Sequence, residues 1–250
     1  MSSSPVHQQQ PQSSGFIEGP QQLAVDCPAP LQKLLPTAGV NVGAEGDDFC
    51  CSTTCEYVCR DQSGRILYSG DMEYTREFLE AEPNCNVGFV DKDTNQCDIR
   101  ISRRGRFMTI EAPRGILVGQ IKSVDDVHYT TRIERQMMVL DALGQPIFRL
   151  VGSGDMDDDD VGCGGAGMGI LSYSILPAAA ATGQLGVVLG QVVVNAPPAV
   201  CGNEPPGGSV TYPPDLQVKM KAALVGALMH AVSLRIQYHM RRAHAHAHAV

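Results

Sequence analysis

The sequence predicts a mainly β protein: a closed antiparallel β-barrel of two similar halves enclosing one hydrophobic C-terminal α-helix. Three observations carry this. Short runs with period-two alternation recur from Phe49 onward, separated by Gly, Pro and Asp. A hairpin signature and a strand signature each occur twice, in the same order. The last long segment, Tyr212 to Tyr238, is apolar on every helical face and so must be enclosed. Two β halves closing around such a helix remove sheet edges and bury it in one step.

In chain order, residues 1 to about 40 are rich in Ser, Gln and Pro and read as a disordered tail. Pro28, Pro30 and Pro36 suit short polyproline II pieces for domains that bind Pro motifs; a plain flexible tail is the alternative. No basic stretch followed by an apolar run opens the chain, so a secretory signal is not expected. Nine cysteines then read as reduced thiols rather than a disulfide frame. Cys50, Cys51, Cys55 and Cys59 are spaced C-C-x3-C-x3-C, and 51, 55 and 59 share one side of a strand. Buried free thiols, acylation at Cys50 and Cys51, and zinc are the three readings, in that order.

CEYVCR and ILYSG flank a turn at Asp61-Gln-Ser-Gly64 and make the first hairpin. Strands follow at 97–102, 107–112, 116–124 and 128–135. MMVL and IFRLVG then flank a second turn at Asp141-Ala-Leu-Gly144. Leu117-Val-Gly-Gln-Ile121 is echoed by Val188-Leu-Gly-Gln-Val192, which sets the halves at 45–126 and 127–196. Residues 162–200 carry no charge; Pro177 and the glycines favour buried strands over a membrane span.

Pro213 and Pro214 keep the approach to the helix extended, and Asp215 suits its N-cap. Leu216, Met220, Leu224, Leu228 and Val232 form the spine of a helix over 215–238. Its uninterrupted apolar part, Ala222 to Ser233, spans about 18 Å against roughly 30 Å of hydrocarbon. Burial in the barrel is therefore favoured over a bilayer span, which would need Lys219, Lys221 and Arg235 to snorkel. Residues 239–250 read as a disordered His-rich tail, leaving 45–238 as the folded domain.

A formal charge of −8 counts against nucleic acid as a partner. Arg100, Arg103, Arg104 and Arg106 form the basic cluster, and each cation on a membrane-facing loop contributes about 1 kcal/mol toward anionic lipid. Lys219 and Lys221 lie early in the helix, against its dipole, and suit an anionic partner such as lipid phosphate. Asp155 to Asp160 reads as a solvated acidic loop or a loose divalent-ion site. Asp91, Asp93 and Asn95 imitate the opening of an EF-hand loop. Gln96 replaces its Gly and Ser102 its bidentate Glu, so that reading fails. No Ser/His/Asp triad, phosphate loop or carboxylate pair emerges, and an enzyme is not expected.

The motif from Tyr212 to Ala227, Y-P-P-D-L-Q-V-K-M-K-A-A-L-V-G-A, closely resembles the C-terminal signature of the phospholipid scramblases. Glu56 to Tyr68, Glu111 to Gly119 and Asp141 to Gly152 are similar to that family as well, so the likeness covers about 45 to 236. It implies a tubby-like fold, a closed barrel of about twelve strands around the helix. It also implies Ca2+-activated, ATP-independent movement of phospholipids between leaflets, at the plasma membrane or the cytoplasmic face of a membrane. The family's acidic calcium segment falls here on Asn203 to Ser209, which keeps only Glu204, with Asp215 later. Calcium wants six to eight oxygens, so the site is degraded. The family's acylated cysteine run is replaced by Ile101 to Arg106, and its basic import segment by uncharged Val187 to Pro198. Phospholipid transport is the first expectation. A soluble adaptor that binds anionic phospholipid at the membrane surface without transport is the second.

Overall fold

The computed structural model describes residues 27–45, 54–74, 84–91, 93, 96–104, 107–124, 136–153, 171–179, 187–195 and 207–247. Twelve strands close into one antiparallel barrel: β1 (Gly39–Glu45), β2 (Thr54–Asp61), β3 (Ile66–Tyr74), β4 (Asn84–Asp91), β5 (Gln96–Arg104), β6 (Phe107–Glu111), β7 (Leu117–Ser123), β8 (Gln136–Asp141), β9 (Pro146–Ser153), β10 (Leu171–Pro177), β11 (Gly190–Val194) and β12 (Gly208–Thr211). Each strand pairs with its neighbours in sequence, and β1 pairs with β12, Gly39 opposite Thr211, to close the ring. The connections therefore alternate between two rims. The short turns of β2–β3, β6–β7 and β8–β9 lie on one, together with the start of β1 and the end of β12.

Alternation explains the wall. In β6, Met108 and Ile110 point inward while Phe107 and Thr109 face out. A twelve-strand ring is too wide for side chains alone to fill. One helix, α1 (Val218–Ala247), occupies the space and packs on β5 to β8, β11 and β12. Small residues make the fit: Ala222, Ala223, Ala227 and Ala231 are buried, and a Cβ on Gly119 of β7 would lie 3.1 Å from that of Ala223. Leu224, Leu228 and Val232 are buried, Leu216 is 6% exposed and Met220 is half-buried.

The helix starts later and ends later than the sequence suggested. Asp215 lies in the turn before it, where Leu216 N–H donates to Pro213 O, and Gln217 O accepts from Met220 and Lys221. At the other end α1 continues to Ala247, so 239–247 is helical rather than disordered. Of the tail expected over 1 to about 40, residues 27–40 are placed and 1–26 lie outside the described residues. Ala29–Leu34 forms a 3-10 turn whose Leu31 and Leu34 are fully buried under the barrel mouth, and β1 begins at Gly39. Two buried leucines in a short Pro-flanked segment are invisible to composition.

The two D-x-x-G hairpins share one geometry. Asp61 Oδ1 accepts from Ser63 and Arg65 N–H, and Asp141 Oδ1 from Leu143 and Gln145 N–H. Gly64 and Gly144 take φ of 86° and 78°, the left-handed conformation glycine adopts without strain. They stand six strands apart in a ring of twelve, on opposite sides. The Gly-Gln strands, β7 and β11, lie four strands after the first hairpin and two after the second, so that echo is not part of the same repeat. The strand expected over 128–135 lies outside the described residues.

Candidate functional site

Every residue type that suggested lipid contact is sorted by the wall into inside or outside. Period two along β5 turns Ile99, Ile101 and Arg103 inward and Arg100, Ser102 and Arg104 outward. Arg103 is 1% exposed, and its Nη1 donates to Ser233 Oγ on α1 at 3.2 Å. It is a cation of the core, not of a membrane-facing loop, which corrects the expectation for that residue. Ile-x-Arg alternation held the signal. His230, Ser233 and Arg235 of α1 are likewise buried in the same half of the barrel.

Lys221 is also corrected. It is fully buried, and its three ammonium N–H groups are shared among four carbonyls: Leu35 O at 2.7 Å, Pro214 O at 2.7 Å, Thr37 O at 2.8 Å and, longest, Leu34 O at 3.3 Å. The nitrogen also sits 5.5 Å from the centre of the Tyr212 ring. Burial lowers its pKa to about 8, with the charge of Asp215 pulling the other way. Tyr212, bonded through its hydroxyl to Thr37 Oγ1 at 2.8 Å, is raised by burial. This cage ties the 3-10 segment, the approach to α1 and the helix into one plug across the barrel mouth. Lys33 fastens its outer edge, reaching Asp91 at 2.5 Å and Asp93 at 2.7 Å. Those two acids, which imitated a calcium loop in sequence, are ion-paired to lysine.

Lys219, two residues before Lys221, is exposed. Arg104 is exposed, Arg100 is half-buried opposite Glu111, and Arg106, Cys50, Cys51, Glu204 and the acidic run 155–160 lie outside the described residues. Asp215, the other carboxylate proposed for calcium, is half-buried near Lys221. Among the described residues no three His, Cys, Asp or Glu side chains stand together as metal ligands.

Register adds two residues that the sequence reading missed. Arg104 pairs with Phe107, and Phe107 with Lys122, so the three form one row on the outer wall. Phe107 is 46% exposed, with the Lys122 ammonium 5.8 Å from its ring centre. Only cross-strand pairing brings Lys122 to Arg104.

The thiols on the inner face are inert. Burial pushes Cys59 and Cys85 up to about 12, with Asp61 adding to the first and Arg103 opposing the second. Cys27, Cys55, Cys59 and Cys85 are free. Among the described residues no helix is long and apolar enough to cross a membrane. Comparison with protein-family models, with curated proteins and with solved structures finds no match.

Proposed function

We propose that this chain is a barrel that binds anionic phospholipid at a membrane surface and holds no lipid path of its own through the lumen. The observation that supports this is the filled interior. Leu224, Leu228 and Val232 are at most 1% exposed, and the Lys221 plug covers one mouth. A headgroup therefore meets the protein from outside, where Arg100, Arg104, Lys122, Arg114 and Lys219 retain some or full exposure. Pro28, Pro30 and Pro36, which suited partners that read Pro motifs, lie in the plug segment, where Pro30 O accepts from the Tyr68 hydroxyl. Co-sedimentation with phosphatidylserine vesicles tests the reading: binding that falls as salt rises is expected, and no binding at low salt rejects it.

The motif from Tyr212 to Ala227 favours a second reading, scrambling of phospholipids activated by Ca2+. Such a chain would have to withdraw α1 or open the wall. Labelled-lipid flipping in reconstituted vesicles, with and without Ca2+, decides between them; acceleration in either condition would favour transport over simple binding.

A further inference from the structure

Three consecutive connections, β6–β7, β8–β9 and β10–β11, reach the rim that also carries the helix start. Each ends in aliphatic side chains turned to solvent: Ile116 at 58% exposure, Leu143 at 85%, Val187 at 77% and Val188 at 54%. The plug lies against β3, β4, β5 and α1 and leaves these side chains exposed. Leu143 sits at the apex of a turn whose conformation is dictated by Asp141, so its exposure is built into the hairpin.

We infer that this arc enters the interfacial layer of an anionic bilayer, so that the barrel stands on its β6–β11 rim; the inference rests on the phospholipid-binding reading above. Placement is the first reason. Leu143 stands at a turn apex, and Ile116, Val187 and Val188 stand exposed just before β7 and β11 on the same rim, which suits a soft partner. Area is the second. At usual residue areas the four together expose on the order of 500 Å², short of the roughly 800 Å² a standard interface takes from each partner. Charge is the third. Arg114, beside Ile116, and Lys219, at the helix start on this rim, are both exposed and within the same end of the barrel as headgroup contacts. The outer-wall row is the rival face: Phe107 there engages Lys122, the half-buried Met138 follows Lys122 in register, exposed Val124 stands two residues on, and polar Ser102, Thr109 and Gln120 flank them.

The chain contains no tryptophan, so a single introduced indole reports its own surroundings. Full-length Leu143→Trp and Phe107→Trp are titrated with phosphatidylcholine–phosphatidylserine vesicles whose acyl chains are brominated close to the glycerol. Both variants should pellet with the vesicles. Emission of Leu143→Trp should shift to the blue and be quenched severalfold more than that of Phe107→Trp. If both pellet and only Phe107→Trp is quenched, the wall is the contact and the rim assignment falls while the phospholipid reading stands. If neither pellets, both fall. A blue shift of Leu143→Trp with rising protein concentration and no vesicles would show a second copy covering the rim, which also overturns the inference. Ile116→Glu/Leu143→Glu, changed only at exposed tips, should keep its thermal midpoint and lose about tenfold or more in vesicle affinity; unchanged affinity would contradict the rim contact.

Discussion

At the scale of single residues, the helix is shaped to its container. Gly226 would ordinarily weaken a helix interior by about 0.5–1 kcal/mol relative to Ala. Here a Cβ would lie 2.5 Å from Ile110 Cγ1 and 2.8 Å from its Cδ1. Gly226→Ala should therefore destabilise, by about 1–3 kcal/mol as overpacking does, where propensity alone forecasts a gain; urea unfolding gives the sign. Leu228→Ala, at a fully buried position, should cost about 2–5 kcal/mol in the same assay. The raised thiols of Cys59 and Cys85 predict a third outcome. In the native protein at pH 8 both should resist iodoacetamide and react only after unfolding, as read by mass spectrometry.

At the scale of elements, the plug is held by the hydrogen bonds of one buried side chain, Lys221. Lys221→Met keeps the bulk and takes that donor from the carbonyls of Leu35, Thr37 and Pro214, whereas Leu34 O keeps the Thr37 N–H and hydroxyl. Each buried acceptor so orphaned costs about 1–3 kcal/mol, so the 3-10 segment should loosen first, seen as faster amide exchange at Leu31, Leu35 and Thr37. The pH dependence has a definite sign. The folded protein releases the Lys221 proton as pH rises through about 8, whereas the unfolded chain holds it to 10.5. Between those values the unfolded state binds more protons, so this site adds stability as pH rises from 8 toward 10.5. The Lys221→Met protein should lack that increment in denaturant titrations across the window. Composition placed this segment in a disordered tail because nothing local distinguishes Leu31 and Leu34 from tail leucines; their burial comes from α1 and β5.

At the scale of the whole molecule, closure organises everything else. The β1–β12 pairing leaves no free edge, and removing residues 27–45 would expose the edges of β2 and β12 while unplugging the mouth. That truncation should be obtained aggregated rather than as a monomer on size exclusion. Closure also supports the functional proposal, since a filled barrel meets lipid by its surface. Arg100, Arg103, Arg104, Lys219 and Lys221 look like one basic set when read along the chain. The barrel scatters them between its inside, its outer wall and its rim.

The sequence by itself determined what is local: period-two strands, the two Asp-x-x-Gly turns with their glycines, and a helix apolar on every face. Those patterns follow from backbone geometry within a few residues, so they are legible without neighbours. Only the tertiary structure decided that Lys221 is caged by carbonyls from a segment far earlier in the chain, and that Phe107 joins Arg104 to Lys122. Burial and register depend on what lies opposite a residue across space, and that partner is set by ring closure, which no window of sequence contains.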